Sequence, residues 1–254
     1  MKRRILILLL FIWGCIIVKA QNSETNEFYT SIKKYNLSKL WSADSIITQD
    51  DGERIVFPEP LGFIGDNYQR FEIHYTSVKK DKSNPYRYNV LGKTRVKNNI
   101  CCFSGSITVI RAKQYKKSDS PEFKQGFVDC KVELFEDSIH LSSGYFNGNM
   151  TTYFCIDKKG TLSYDALMIM GDEYSNNQCK ATWTSYKTKI TKKCNWGDYR
   201  IPDSGNLDTG TGEFMVNEKY RNSGWDNYMK AWQSLKKTTE IKDAQRKEDI
   251  KWWK

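Results

Sequence analysis

The stretch NLDTGTGEF, residues 206–214, holds the residues best suited by type and spacing to do chemistry. In aspartic proteolysis a triplet such as Asp208-Thr209-Gly210 presents one of two carboxylates that face each other, share a proton and activate water. This chain carries the triplet once, so it would have to act as a dimer. RIPDSGN precedes it, which is turn-like where a buried apolar strand is required, and the residues after it read as helix rather than as an apolar brace. The triplet is therefore read as turn chemistry, for which Asp, Asn, Ser and Gly are the usual residues. The same loop offers oxygen ligands in Asp203, Asp208 and Glu213, an irregular calcium site as a weaker alternative. An EF-hand is excluded by Gly205 and Leu207, which stand where that loop needs side-chain oxygens.

Other chemistries have less to work with. His74 and His140 are the only histidines, and each falls on the polar face of its segment, where surface is the expected role. Carboxylate-pair hydrolysis would need two acidic groups held in one cleft, and nothing in the spacing singles out a pair. Aromatic residues make up 14% of the chain. Around TWTSYKT and CNWGDYR, residues Tyr186, Trp196, Tyr199 and Trp225 are the candidate ligand-binding side chains, since rings interleaved with Asp, Asn, Arg and Lys suit sugars or peptides. On the strand ATWTSY, Trp183 and Tyr186 face opposite sides. Trp183 is assigned to the interior and Tyr186 to the exterior. Trp196 and Tyr199 are assigned to a turn-rich loop beyond the strand.

Six cysteines follow Cys15: Cys101, Cys102, Cys130, Cys155, Cys179 and Cys194. An even number in an exported chain suggests up to three disulfides. Adjacent Cys101 and Cys102 must point to opposite faces of a strand. A Cys179–Cys194 bridge would close a loop worth about 3 kcal/mol. No C-x-x-C is present, which removes the signal for a zinc ribbon or a thioredoxin-like redox site.

The elements that must position these residues are mostly strands. QRFEIHYTSV (69–78) alternates Phe71, Ile73 and Tyr75 with polar residues, the period of a half-buried strand. YRYNV, GSITVIRA, CKVELFED, SIHLSSGYFNG, MTTYFCID, KKGTLSYDALMIM and CKATWTSYKT continue at short intervals, with NGN (147–149) and DKKG (157–160) as turn signals. The expectation is a mainly β chain: an antiparallel meander that closes into a barrel or sandwich, because closure removes exposed edges. Residues 26–41 place Phe28, Ile32 and Tyr35 at helical spacing. Residues 225–237 place Tyr228, Trp232 and Leu235 on one helical face, followed by a charged tail.

Residues 1–20 read as a signal peptide: a basic MKRR, an apolar run and VKA before Gln21. That run is shorter than the ~20 residues of a spanning helix, and Trp13 two positions before Cys15 and the apolar IIV after it stand where lipidation would need a small residue and a polar tether. The expected division is a leader over 1–20, an antiparallel β domain with a short N-terminal helix over 21–224 and a basic helical tail over 225–254. The formal charge is +10; the leader holds four of the basic residues and residues 230–254 a net +4, so the rest of the chain is nearly balanced. That balance gives no footprint for nucleic acid.

KKCNWGDYRIPDSGNLDTGTGEF, with TWTSYKT before it and PLGFIGDNYQRFEIHY earlier, resembles a group of secreted proteins of Bacteroidetes-type bacteria. The resemblance implies an exported setting, secreted or periplasmic, and carries over no catalytic residue. The meander is also similar to calycins, at the level of fold alone. Together these give an exported, non-catalytic binding module for a small apolar ligand, a glycan or a protein partner, with no cofactor and no stable membrane span after leader cleavage. The alternative is a hydrolase that attacks glycan or peptide with carboxylates in the barrel mouth.

Overall fold

The computed structural model describes residues 24–233 and 239–254; the expected leader, its cleavage after Ala20 and the position of Leu235 lie outside them. The chain is mainly β. Eight strands form an antiparallel up-and-down ring: β4 (Leu61–Ile64), β5 (Gln69–Lys80), β6 (Arg87–Val96), β7 (Asn99–Tyr115), β8 (Phe123–Glu136), β9 (Gly144–Asp157), β11 (Asn176–Ser185) and β12 (Thr191–Asp198). The last strand returns to the first, with Cys194 opposite Ile64 and Gly197 opposite Leu61. Closure is irregular, because β4 supplies 4 residues to a ring in which β7 runs for 17. Shorter strands add to the rim: β1 (Thr25–Glu27) on β7 and β10 (Leu162–Tyr164) on β9. β2 (Ser45–Ile47) and β3 (Arg54–Val56) form a separate hairpin.

Period-two alternation fills the ring. Phe71, Ile73 and Tyr75 point inward from β5, and Cys130, Val132 and Leu134 from β8, all buried. Phe71, Phe146 and Trp196 meet at its centre, with ring centroids 5.5–6.0 Å apart. Trp196 is thus a core side chain on β12 and does not sit in a loop. The reason is Asn195, which turns outward and ties the strand on both sides: its Oδ1 accepts from Ala181 N and its Nδ2 donates to Pro202 O.

Two segments differ from their sequence signals. NGN lies in the middle of β9, where Gly148 is needed for close approach; a Cβ there would strike the Lys180 carbonyl and Ala181. SIHLSS is the loop between β8 and β9, opened by Asp137 Oδ1 accepting from Ile139 N. DKKG does turn, with Gly160 at a φ of 83°.

The expected helix over 26–41 is a single turn, α1 (Tyr29–Ile32), followed by a one-turn 3-10 segment at Ser38–Leu40. Asn36 interrupts it, its side chain accepting from both the N–H and the hydroxyl of Ser38. The predicted inward residues still serve: Ile32 is buried and Phe28 packs on Phe154. This segment caps one end of the ring.

A second, smaller core lies outside the ring. Phe63 of β4 packs with Ile201, Leu207, Phe214, Val216, Trp225 and Met229. α2 (Asp226–Trp232) and α3 (Thr239–Glu248) follow. The tail is docked on the ring: Glu248 takes a bidentate pair from Arg70 at 2.6 and 2.8 Å, and Trp253 stacks on His74 at 4.0 Å.

The six cysteines Cys101, Cys102, Cys130, Cys155, Cys179 and Cys194 are free thiols. The expected Cys179–Cys194 bridge is not formed. In the β11–β12 register Cys179 faces Trp196 and Ala181 faces Cys194, so the two thiols are diagonal neighbours. That spacing is about 7–8 Å, beyond the Cα separation of a disulfide. Cys101 and Cys102 do take opposite faces, one buried and one exposed.

Candidate functional site

The two ends of the ring differ. At one end the N-terminal segment forms a lid fixed from beneath. Trp41 donates its indole N–H to Thr152 Oγ1, Thr152 donates to Asn177 Oδ1, and Asn177 Nδ2 donates to the Leu40 carbonyl and to Asp198 Oδ2. Asp198 Oδ2 also accepts from Tyr164. Burial pushes the Asp198 carboxyl up to about 7, against those two hydrogen bonds.

The other end is ringed by four turns, residues 65–68, 97–98, 137–143 and 186–190, and remains open. It holds a recess of about 350 Å³, at the small end of the range for ligand pockets. Its floor is apolar, from Phe71 and Phe146; Gln69, Asn99, Lys97 and Lys192 stand around its wall.

Glu136 is the acidic side chain that lines this mouth. It ends β8, and the parity that turns Val132 and Leu134 inward turns Glu136 inward too. Thr94 donates its hydroxyl to Oε1, while Gly144 N and Trp183 Nε1 donate to Oε2 at 2.8 and 2.9 Å. The donors come from three elements, so the carboxyl is held rigidly. Burial raises its pKa above the ordinary carboxylate range despite these bonds, which act to lower it. Such a group is a fixed acceptor, and when protonated a donor, for a polar atom entering from the mouth.

The residues singled out from sequence fall in different places. Trp183 faces the mouth, as its strand parity predicts. Tyr186 is on the outer wall, 6.0 Å from Tyr145. Trp196 is buried in the ring, with 1% of its surface exposed. Tyr199 lies toward the lidded end, edge-on to Tyr174 at 5.1 Å. Trp225 is wholly buried in the second core, its indole N–H donated to the Tyr68 carbonyl. Tyr186, Trp196, Tyr199 and Trp225 therefore do not form one site. Glu136 was legible as an acidic residue on an apolar parity, a signal not used in the sequence reading.

The Asp-Thr-Gly loop is a structural brace. Arg200 donates to Asp208 Oδ2 through Nε at 3.1 Å and Nη2 at 2.6 Å. Asp208 Oδ1 accepts from Gly210 N and Met215 N. Arg200 also donates to the carbonyls of Gly210 and Gly212, so a guanidinium sits where the loop oxygens converge. Asp203 pairs instead with Lys180. Asp203, Asp208 and Glu213 are not gathered as ligands, and among the described residues no group of three His, Cys, Asp or Glu side chains is placed to hold a metal.

No family model, curated protein or solved structure matches the chain.

Proposed function

We propose that this is an exported, non-catalytic binding module, secreted or periplasmic, that takes a small ligand in the open mouth of the strand ring. One observation carries the reading: a buried carboxyl, Glu136, is fixed by three donors in a recess with an apolar floor and amide and ammonium groups around its wall. Convergent polar groups in an apolar hollow are what small-molecule sites share. Because Phe71, Phe146 and Trp196 fill the ring below, the ligand is held at the mouth and does not penetrate the core. The mixed lining favours a compact, partly polar ligand with one apolar face, such as a small glycan unit, over a long aliphatic chain. The mouth is lined by a single carboxylate, which supports binding over a two-carboxylate hydrolysis.

A melting screen against sugars and small amphiphiles tests this. A ligand should raise the melting temperature by several degrees, as binding to the folded state must. Glu136→Gln and Lys97→Ser should each remove most of that rise. A ligand whose effect survives both changes would place binding elsewhere.

A further inference from the structure

We infer that the rim of the open end is a docking surface for an anionic lipid bilayer. The loop between β8 and β9 carries Ile139 and Leu141 at its tip, 86% and 82% exposed, and the β11–β12 turn carries Ile190, 57% exposed. These loops are neighbours in the ring, because β9 pairs with β11. A single exposed apolar side chain is ordinary, but three on adjoining loop tips form a patch that water disfavours.

Lysines surround the tips. Lys187 and Lys189 flank Thr188 in the turn beside Ile190, and Lys97 and Lys192 stand at the mouth. None of the four forms an ion pair among the described residues. Asp66 and Asp137 are the exposed carboxylates of the same four turns, so the rim is net basic. Just behind the tips, on the outer wall, Phe135, Tyr145 and Tyr186 run in a row with centroids 6.3 and 6.0 Å apart. Phe135 is 49% exposed.

The sequence of layers fits one occupant. Apolar tips enter the acyl boundary, tyrosines and a phenylalanine sit at headgroup depth, and lysines meet anionic headgroups. A flat protein partner would not reward side chains that project separately from loop tips. The opposite wall, on β5 and β6, is already covered by the C-terminal residues Trp252 and Trp253. Docked this way, the chain lies on the bilayer without crossing it and turns its mouth toward the lipid. No helix among the described residues is long and apolar enough to span.

Hydrogen–deuterium exchange on the full chain tests the assignment, with vesicles of phosphatidylcholine alone and of phosphatidylcholine containing phosphatidylglycerol. Exchange at 137–143 and 186–190 should slow with the anionic vesicles and not with the neutral ones. Ile139→Ser with Leu141→Ser should abolish that protection. Lys187→Gln with Lys189→Gln should raise the lipid concentration needed by roughly tenfold or more. All four positions are exposed, and unchanged melting temperatures will show that the variants fold. The inference is overturned if the chain sediments with anionic vesicles while rim exchange is unchanged, which would place the contact elsewhere. It is also overturned if rim protection depends on protein concentration without lipid, which would mean self-association. The ligand screen on the mouth reads soluble compounds only, so either result stands apart from this one.

Discussion

Trp183 donates its indole N–H to Glu136 Oε2 at 2.9 Å although β9 lies between their two strands. The bond ties together two strands of the mouth's wall that are not direct neighbours. Glu136→Leu should leave Trp183 Nε1, the Thr94 hydroxyl and Gly144 N without their acceptor, at a cost of about 3 kcal/mol in urea unfolding. Glu136→Gln keeps an acceptor oxygen and should cost about 1 kcal/mol. Equal stability of the two variants would mean that the bonds contribute little.

Asp198 gives the fold a pH dependence of known sign. Its pKa is about 7 in the folded chain and about 3.9 in an unfolded one. The folded state therefore holds a proton that the unfolded state releases, and its stability falls as pH rises from about 4 through 7. Asn in its place needs no proton and keeps a carbonyl oxygen for Tyr164 and Asn177. Asp198→Asn should gain on the order of 4 kcal/mol relative to wild type at pH 8 and little at pH 4. Urea unfolding at both pH values checks this, and a constant difference between them would refute the assignment.

Asp208 is expected to matter for loop order and not for hydrolysis. Asp208→Asn removes the charge that Arg200 grips while keeping an acceptor for Gly210 and Met215. A loss of about 1–2 kcal/mol should follow, in line with a charge-assisted hydrogen bond. Limited proteolysis should then cut between residues 200 and 216. Loss of a peptide-cleaving activity in that variant would restore the protease reading.

The thiols should report the ring's interior. Of the six described cysteines, Cys102 alone is exposed. Burial pushes Cys130, Cys179 and Cys194 far above the ordinary thiol pKa and Cys101 up to about 11, which suppresses the reactive thiolate. In a chain lacking residues 1–20, and with them Cys15, a disulfide-exchange reagent should find one fast thiol in the native state and all six after denaturation. Fewer than six in the denatured chain would mean that a bridge forms.

Strand parity was the most legible feature. Phe71, Ile73 and Tyr75 alternate as read, and Trp183 and Tyr186 take the opposite faces assigned to them. Trp196 was misread because CNWGD has turn composition. Its strand is held by Asn195 side-chain bonds and by Gly197, where a Cβ would strike Gln178 and the Arg200 carbonyl. These are tertiary constraints that composition does not carry. The mouth was half legible: Glu136 continues an apolar parity at a strand end, but Lys97 comes from the β6–β7 hairpin and Trp183 and Lys192 from the β11–β12 hairpin, and only the pairing of the ring brings them to Glu136. Trp225 was read as binding because rings and charges adjoin it. Arg70 does lie over its ring at 5.4 Å, but within a packed second core.

The lid over the closed end also sets an order of events in time. Trp41 and Leu40 leave the ribosome early, yet their partners Thr152 and Asn177 lie 111 and 137 residues later. Asn177 in turn needs Asp198, the last residue of the ring. The lid therefore has nothing to close on until almost the whole β domain has been made, and its contacts carry a large loop-closure cost. The ring should assemble last at the end that its chain began. Until then the Phe71, Phe146 and Trp196 cluster stands open to water.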